Sequence, residues 1–483
     1  MYAVQHSDRP HGQRRISGTN DGSGCFKGEP VTTQPLPSAG LSAATERDIV
    51  PVDPQQLRRA TLASSVGSAL EYYDFYIYGL ATALIFGPLF FSPLGPSGAL
   101  IASFATYGVG FAARPFGGLI FGYIGDRFGR KQVLLLTIGL MGTASFCIGL
   151  LPTHAQAGML GAVLLVVLRI IQGLGAGAEQ AGATTLISEV APRKRRGFFA
   201  ALPFVGIQVG TLLGAGTFAL MGLAHPEVLT GWLWRVPFLA SIILIAIAIY
   251  IRLKLKETPV FQELEKHKSV TKNPVGVLWR SSKKNVLIGM GLRMGENGNS
   301  TIYSTLLVGF MAAKGGVFEG DKFIGPIGLL IAAGFSAIMV VAFGALSDRV
   351  GRVKVYRYGA LFQLLFAFPA FYLISLGNVT LVWIVMSIGI ALGVQSMLGP
   401  QCALLPELFG STHRFTGVAM SREISAVFAG GIAPFVGGLL LAVTHQSWMV
   451  LAGYSLVLAG ISFATTFFTP ETVGRDLLLA EDA

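Results

Sequence analysis

Charged side chains stand inside the long apolar runs of this sequence, where a charge is costly. Glu71 and Asp74 lie three residues apart in SALEYYDFYIYG (68–79), and Arg114 interrupts another apolar run. A charge at the centre of a membrane helix costs roughly 2.5–3.5 kcal/mol, so such residues normally face a bundle interior and find partners. Carboxylates in apolar surroundings can take up and release protons, and a guanidinium can bind a carboxylate through two hydrogen bonds. The pattern therefore indicates buried chemistry of protons and anions.

Three acids are candidates for carrying a proton, and several polar residues are candidates for holding a small ligand. The acids are Asp74, Glu71 and Glu179. The ligand candidates, chosen for charge, depth or helix face, are Arg114, Tyr78, Arg293, Glu296, Asn297 and Arg422. The alternative for each carboxylate is a permanent structural ion pair, and the alternative for Arg114 is a salt bridge to Glu71 or Asp74.

Depth and helix face support these candidates. At 1.5 Å per residue, Asp74 lies roughly 18 Å inside a hydrocarbon core ~30 Å thick, close to its midplane. At about 100° per residue, one face of this helix carries Gly67, Glu71, Asp74 and Tyr78. A second face, in a later run, carries Arg293, Glu296, Ser300 and Tyr303, with Asn297 at its margin. We expect both faces to line one central cavity, and we expect Tyr72, Tyr73 and Tyr76 to point elsewhere.

Composition identifies the elements that carry these residues as membrane helices. The chain has 483 residues, of which 52% are hydrophobic and 13% charged, against about 25% charged in soluble globular chains. The net charge of +11 comes from short basic clusters between apolar runs, which is a topology signal rather than a nucleic-acid footprint. The three cysteines have no paired spacing, so neither a disulfide nor a metal framework is expected.

About twelve apolar runs of spanning length fall into two blocks of six. They predict an all-α integral membrane protein with two pseudo-symmetric six-helix halves. Basic clusters occupy alternate loops, so both termini are predicted to be cytoplasmic and the protein to span the cytoplasmic membrane repeatedly. The predicted organisation is a disordered cytoplasmic tail (1–57), an N-terminal half (58–252), a cytoplasmic linker (253–283), a C-terminal half (284–470) and a second cytoplasmic tail (471–483).

Weak similarity between the halves supports a duplication. GYIGDRFGRK at 122–131 recurs as GALSDRVGRVK at 344–354, which places Asp126 on Asp348, 222 residues later. Such repeats usually place the binding site at their interface near the bilayer midplane.

The same shift of 222 residues relates the buried charges of the two halves. It carries Glu71 onto Arg293 and Asp74 onto Glu296, so polar pairs recur at matching heights with one charge inverted. We hypothesise that Arg293 neutralises Glu71, Asp74 or the ligand across a central cavity.

These motifs resemble a known transporter family. G-x-x-x-D-R-x-G-R-K between the second and third helices is similar to the signature of the major facilitator superfamily, and PETVGRD resembles its sugar-porter-related branch. SALEYYDFYIYG, AARPFGGLIFGYIGDRFGRK and LRIIQGLGAGAEQAGATTLISEVAPRKRRG together resemble the metabolite:proton symporter family, over about residues 58–476. The resemblance implies a proton-driven carrier of shikimate, oxoglutarate, other carboxylates, proline or betaines. It also implies, through R-x-x-Q-G, that Arg169 serves proton coupling, and Gln172 of the same motif is a further candidate for holding the ligand.

The two loop motifs predict a conformational latch. Asp126 can accept hydrogen bonds near helix N-termini, where the helix dipole favours an anion, and Arg130 can pair with Glu189. The second copy repeats this arrangement. The predicted latch residues are Asp126, Arg127, Arg130, Glu189, Asp348, Arg349, Arg352 and Glu407. They are expected to hold the halves together on the cytoplasmic side in the outward-open state.

The sequence thus predicts a proton-coupled symporter that imports a small organic acid or a betaine-like zwitterion by alternating access and works as a monomer. The proton gradient is the expected energy source, with no cofactor, metal or nucleic acid. A uniporter or exporter of the same fold is the first alternative, and a transporter-like nutrient sensor is a distant one. A membrane-embedded enzyme would need a metal cluster or a nucleophile with its base, and the seven histidines are unclustered. Which acid carries the proton is left open.

Overall fold

A computed structural model describes residues 54–128, 130–177, 184–185, 187–189, 191–254, 278, 282–411, 413–477 and 481–483. The regular structure within these stretches is helical throughout. The predicted first tail and the predicted linker fall almost entirely outside the described residues, as does Glu179. The side chains of Asp126, Arg127 and Arg130 are likewise outside the description.

Twelve long helices, named α1 to α12, follow one another in the described part of the chain. They are α1 (Pro54–Ala81, continued by Thr82–Phe86 and Gly87–Phe90), α2 (Gly95–Phe128), α3 (Arg130–Gly149), α4 (Met159–Ala176), α5 (Arg196–Met221), α6 (Val236–Lys254), α7 (Lys283–Thr301, continued by Ile302–Leu306 and Leu307–Ala312), α8 (Ile324–Val350), α9 (Arg352–Ser375), α10 (Val379–Leu408), α11 (Arg414–Val443) and α12 (Trp448–Thr465). Their order is that of the twelve predicted apolar runs. The prediction of an all-α protein with two six-helix halves is therefore confirmed.

Length and composition show which of the described helices can cross a membrane. Eight described spans are both long and apolar enough, and shorter apolar segments occur at Leu135–Gly149 and Leu233–Ile247. The helix α7 is less apolar because it carries Arg293 and Glu296 together with several glycines and asparagines. Its low hydrophobicity is therefore a property of the polar residues that it contributes to the bundle.

A wider helical turn interrupts α1 and α7 at matching positions. The π-helical turns Thr82–Phe86 and Ile302–Leu306 begin 220 residues apart, close to the shift of 222 between the loop motifs. A π turn disturbs the regular hydrogen-bond ladder, and Ser103 of α2 donates to the carbonyl oxygen of Thr82 at 2.8 Å. The two turns pack against each other. The duplication predicted from sequence is thus also visible in the backbone.

Glycines bring α2 and α4 into backbone contact. A β-carbon on Gly173 would lie 2.1 Å from the carbonyl oxygen of Gly110, and one on Gly177 would lie 2.1 Å from that of Arg114. Any larger residue would push the helices apart. This crossing therefore fixes the relative heights of Arg114 in α2 and Arg169 in α4.

The two halves meet along two seams at opposite ends of the bundle. At the latch end, where α8 ends, a β-carbon on Gly197 of α5 would lie 2.4 Å from the carbonyl oxygen of Gly344 in α8. At the far end, α2 meets α11, and a β-carbon on Gly108 would lie 2.9 Å from the carbonyl oxygen of Gly431. Phe104 of α2 is fully buried in this second seam. Contacts between the halves therefore exist on both sides of the bundle centre.

Candidate functional site

A small cavity lies between the halves near the middle of the bundle. It measures about 60 Å³ and is bordered by α1, α2, α5, α7, α10 and α11. Four predicted ligand residues line it, namely Arg114, Arg293, Glu296 and Asn297. Its wall in the N-terminal half is largely aromatic, with Tyr72, Phe75, Tyr76, Tyr107 and Phe111. The cavity thus combines charged groups with ring faces.

The prediction that Glu71, Asp74 and Tyr78 of α1 line the cavity is wrong. Tyr72 and Tyr76 border the cavity instead. The face that holds the two acids points to partners inside the N-terminal half, as the 2.7 Å hydrogen bond from Tyr78 to Thr106 illustrates. Helical periodicity identifies a polar face but not the neighbour that it meets. Here polar side chains of α2, α3 and α6 meet it.

Arg114 joins the two halves beside the cavity. Its Nη2 donates to Glu71 Oε1 of α1 at 2.8 Å, and its Nε donates to Glu423 Oε2 of α11 at 2.8 Å. All three side chains are buried, and the guanidinium also lies over the rings of Phe75 and Phe111. The salt bridge that was the alternative for Arg114 is therefore present together with its place on the cavity wall. Sequence reasoning preferred the adjacent Arg422 to Glu423 as a site residue, because nothing in α11 signals a partner in α2.

Hydroxyl groups hold Asp74. Ser145 of α3 donates to Oδ2 and Ser241 of α6 donates to Oδ1, both at 2.8 Å. Gln172 donates to Ser145 Oγ at 2.6 Å, and Arg169 donates to Gln172 Oε1 at 2.5 Å. A hydrogen-bonded chain thus joins Asp74 to Arg169 without a direct ion pair. Neither serine was predicted, because isolated serines in apolar helices carry no spacing signal.

Aromatic rings surround Arg169, which lies off the cavity. Its guanidinium carbon lies 3.9 Å from the ring centre of Tyr78, with Phe75 and Tyr107 at 5.1 and 5.2 Å. Cation–π contacts of this kind stabilise a desolvated guanidinium. A β-carbon on Gly110 would lie 2.3 Å from Arg169 Nε, so α2 needs a glycine at this height.

The hypothesis that Arg293 neutralises Glu71 or Asp74 is wrong, whereas its third form, in which Arg293 neutralises the ligand, stays a prediction. Arg293 Nη1 lies 3.2 Å from Glu296 Oε2, one turn further along α7. The same guanidinium donates to Gln401 at 3.1 Å and to Ser425 at 3.2 Å. Arg293 does border the cavity, but its ion pair forms with a neighbour in its own helix and not with α1.

Arg422 also lies off the cavity. It is 2% exposed, and its guanidinium carbon lies 5.4 Å from the ring centre of Phe204 in α5. Its neighbour Glu423 borders the cavity instead. Adjacent helical residues face about 100° apart, so only one of the two could do so; the sequence-based choice of Arg422 was the wrong one.

At the latch end, Asp348, Arg352 and Glu407 form the predicted cluster. Arg352 lies 2.7 Å from Asp348 and 3.2 Å from Glu407. Asp348 also crosses to the other half, where it accepts hydrogen bonds from the backbone amides of Gly197 and Phe198 at 2.8 and 2.9 Å. These amides belong to the first turn of α5, whose unsatisfied N–H groups and dipole favour a carboxylate.

Two further ion pairs hold the halves together at this end. Arg196 of α5 lies 2.8 Å from Glu407, and Arg414 of α11 lies 2.9 Å from Glu189. Arg414 is thus the described partner of Glu189, whereas the predicted partner in the first loop motif lies outside the described side chains. Arg349 is exposed beside the cluster.

The second predicted tail docks on the latch. Glu471 accepts from the backbone amide of Arg352 at 2.8 Å, and Thr472 donates to Glu407 at 2.6 Å. Arg196 donates to the carbonyl oxygen of Arg475 at 3.0 Å. The segment therefore contacts both halves.

Hydrogen bonds to Asp482 hold the last described residues, 481–483, against the bundle. Burial raises its pKa, but hydrogen bonds from Ser282, from the Gly410 amide and from His413 outweigh burial and hold the pKa of Asp482 below its ordinary value. His413 Nε2 lies 2.7 Å from Asp482 Oδ1, and the Gly410 amide donates to that oxygen at 3.0 Å.

Comparisons with known proteins agree with this architecture. Residues 60–273 match the family model described as sugar (and other) transporter. The shikimate transporter of Escherichia coli K12 is 35% identical over 86% of this chain and 95% of that protein. The proline/betaine transporter of the same strain is 31% identical over 90% of this chain and 87% of that protein. The structure of the proton:xylose symporter XylE bound to 6-bromo-6-deoxy-D-glucose superposes with a TM-score of 0.68, at 18% identity, over 88% of this chain and 98% of that one.

Proposed function

Because this chain belongs to the major facilitator superfamily, in the sugar-porter-related branch of sugar (and other) transporters, we propose that it imports a small organic acid or zwitterionic metabolite together with protons. Membership makes it a multi-pass membrane transporter of metabolites and not an enzyme.

The observation that carries proton coupling is the bonding of Asp74. Among the buried acids of the described bundle, Asp74 is the one that takes part in no salt bridge. Its partners are hydroxyls, which can donate to a carboxylate or accept from a protonated acid. Protonating Glu71 or Glu423 would instead deprive a buried arginine of a partner, which is strongly unfavourable. Asp74 is therefore the acid that we assign as the proton carrier.

The chain from Asp74 to Arg169 offers a route from protonation to conformation. Ser145 and Gln172 connect the two groups, so a change in the charge of Asp74 alters the pull on Arg169. Arg169 in turn lies over Tyr107, which borders the cavity. Proton loading in the N-terminal half thus acts on the wall of the ligand site.

The cavity supports a substrate that carries a carboxylate. Arg114 and Arg293 border it, and arginine binds carboxylates bidentately. The ring faces of Tyr72, Tyr76 and Tyr107 suit a cationic ammonium group on the same molecule. An acid such as shikimate would use the arginines alone, whereas a betaine would use both features. Similarity to transporters named for shikimate and for proline and betaine supports this class.

Alternating access would run through the two seams. The latch closes one end through Asp348 and its neighbours, and the α2–α11 seam closes the other. Opening one seam while the other stays closed exposes the cavity to one side at a time. The basic loops support a cytoplasmic latch end, cytoplasmic termini and residence in the cytoplasmic membrane. One chain contains the whole site, which supports a functional monomer.

Transport into proteoliposomes tests the proposal. Purified protein is screened with dicarboxylates, shikimate-like acids, betaines and amino acids, and each substrate that enters is retested with an imposed proton gradient. We expect accumulation against a concentration gradient only when the proton gradient is directed inward. Uptake that ignores the gradient would replace the symporter with a uniporter, and efflux driven by inward proton flow would replace it with an exporter.

A further inference from the structure

The two acids on Arg114 differ in their access to the cavity. Glu71 is 0% exposed and does not border the cavity, whereas Glu423 borders it together with Arg114. A ligand entering the cavity can therefore reach the Glu423 side of the guanidinium but not the Glu71 side. Of the two carboxylates, Glu423 is the one that a ligand can replace.

The two acids also differ in the half to which they belong. Glu71 and Arg114 are both in the N-terminal half, so their pair keeps α1 on α2. Glu423 is in α11 of the C-terminal half, so its pair with Arg114 joins one half to the other. A rigid-body separation of the halves at the far end has to break the second pair and can leave the first intact.

The pair with Glu423 lies next to the seam that must part. The π-helical turn Ala426–Gly431 begins three residues after Glu423. A β-carbon on Gly431 would lie 2.5 Å from Phe111 Cβ, and Phe111 precedes Arg114 by about one helical turn. The charged pair and the glycine seam are therefore consecutive contacts along the same two helices.

We infer that Glu423 acts as an internal stand-in for the substrate carboxylate: it occupies Arg114 in the empty carrier, holds α2 against α11, and leaves when a substrate carboxylate takes its place. The inference rests on the proposed function only in taking the substrate to be a carboxylate. It assigns Glu423 a positioning role in closing the empty carrier. It also explains why Arg114 pairs with two acids, a permanent partner in Glu71 and a replaceable partner in Glu423.

Electron-spin distance measurements on the empty protein test the inference. Labels are placed at Ser97→Cys, on the first turn of α2, and at Val443→Cys, at the end of α11, since both positions are exposed. The native cysteines are replaced beforehand. In the Glu423→Gln variant we expect the ratio of separated to closed populations to rise about tenfold, which is about 1.4 kcal/mol and corresponds to replacing a hydrogen bond to a charged acceptor by one to a neutral acceptor.

The matched control is Glu296→Gln. It removes the same charge from the same cavity, but the ion pair of Glu296 is with Arg293 in its own helix, α7, and does not cross between the halves. Its distances are expected to equal those of the parent. An unchanged distribution in Glu423→Gln, or an equal change in Glu296→Gln, would overturn the inference. If Glu423→Gln does not fold, Glu423→Asp keeps the charge with a shorter reach and is expected to shift the same ratio by a smaller factor.

Chemical rescue separates this inference from the proposed function. In Glu423→Ala, millimolar acetate is expected to restore the closed population by binding Arg114, whereas acetamide, of the same shape without the charge, is expected to have no effect. Acetate needs no transport activity to do this. Rescue without any transported carboxylate in the liposome screen would refute the proposed substrate and keep only the role of Glu423 in closing the empty carrier. Transport of a carboxylate without rescue would refute the role of Glu423 and keep the proposed function.

Discussion

Replacement of Asp348 by asparagine should loosen the latch end by a calculable amount. Asp348 accepts two backbone hydrogen bonds across the halves, from Gly197 and Phe198, and one from Arg352 in its own half. Asparagine keeps the size of the side chain but has one acceptor oxygen and no charge. The variant therefore keeps at most one of the two crossing bonds, and keeps it as a neutral bond.

The magnitude follows from these bonds. A hydrogen bond to a charged group contributes about 1.5–3 kcal/mol, against about 1 kcal/mol for a neutral one. Loss of one charged bond and weakening of the other gives about 2 kcal/mol, since water that enters the opened latch recovers part of the total. About 2 kcal/mol corresponds to a change of roughly 30-fold in the ratio of open to closed latch.

Spin labels at two exposed positions of the latch end, Lys194→Cys in the N-terminal half and Lys354→Cys in the C-terminal half, report this ratio. We expect a longer distance to gain population in Asp348→Asn. The matched control is Arg349→Gln, which changes the adjacent, exposed residue of the same motif. Its distances should equal those of the parent.

Two outcomes would refute the argument. Unchanged distances in Asp348→Asn would show that the crossing bonds do not hold the latch. An equal opening in Arg349→Gln would show that the motif acts through its overall charge and not through the bonds of Asp348 to α5.

Three further predictions follow from the site and the packing. Asp74→Asn should abolish accumulation driven by the proton gradient but leave counterflow exchange intact. The control Glu319→Gln, at an exposed loop position, should leave accumulation and exchange unchanged. Normal accumulation in Asp74→Asn would show that another acid carries the proton. Gly173→Ala should lower the melting temperature by several degrees, because the new β-carbon would lie 2.1 Å from the Gly110 carbonyl oxygen. In the control Gly453→Ala the new β-carbon meets nothing within 4 Å, so the melting temperature should not fall. Equal melting temperatures in the two variants would contradict the close crossing of α2 and α4. Because the pKa of Asp482 is held below its ordinary value, its contribution to docking of the C-terminal segment should be complete at neutral pH and disappear only as the pH falls through that lowered pKa. Hydrogen exchange of the Gly410 amide measures this, and release near neutral pH would contradict the assignment.

Sequence patterns determined the bundle and the latch but not the partners inside the bundle. Apolar runs and basic loops gave twelve helices in order, because the bilayer imposes length and composition on each span. The loop motif gave Asp348, Arg352 and Glu407 as one cluster, because its repeat places the same residues at the same helix ends.

Directions around each helix were the part that could not be predicted. The apolar run identified Glu71 and Asp74 as acids that face the bundle interior, and both are buried. Their partners depend on how α2, α3, α6 and α11 are rotated, and a single sequence contains no information on that rotation. The role of Ser145 and the pairing of Glu423 with Arg114 therefore appeared only with the structure.

The π-helical turns of α1 and α7 have a mechanical consequence. One residue more per turn rotates everything beyond it by about 100° relative to a continuous helix. If such a turn moves by one residue along the chain, the residue that it passes changes its direction by about 100°, while the helical segments before and after it keep their orientation. Because Thr82–Phe86 and Ile302–Leu306 pack against each other, such a shift would redirect side chains in the contact between α1 and α7. This contact between the two halves can thus be rearranged without a rotation of either half.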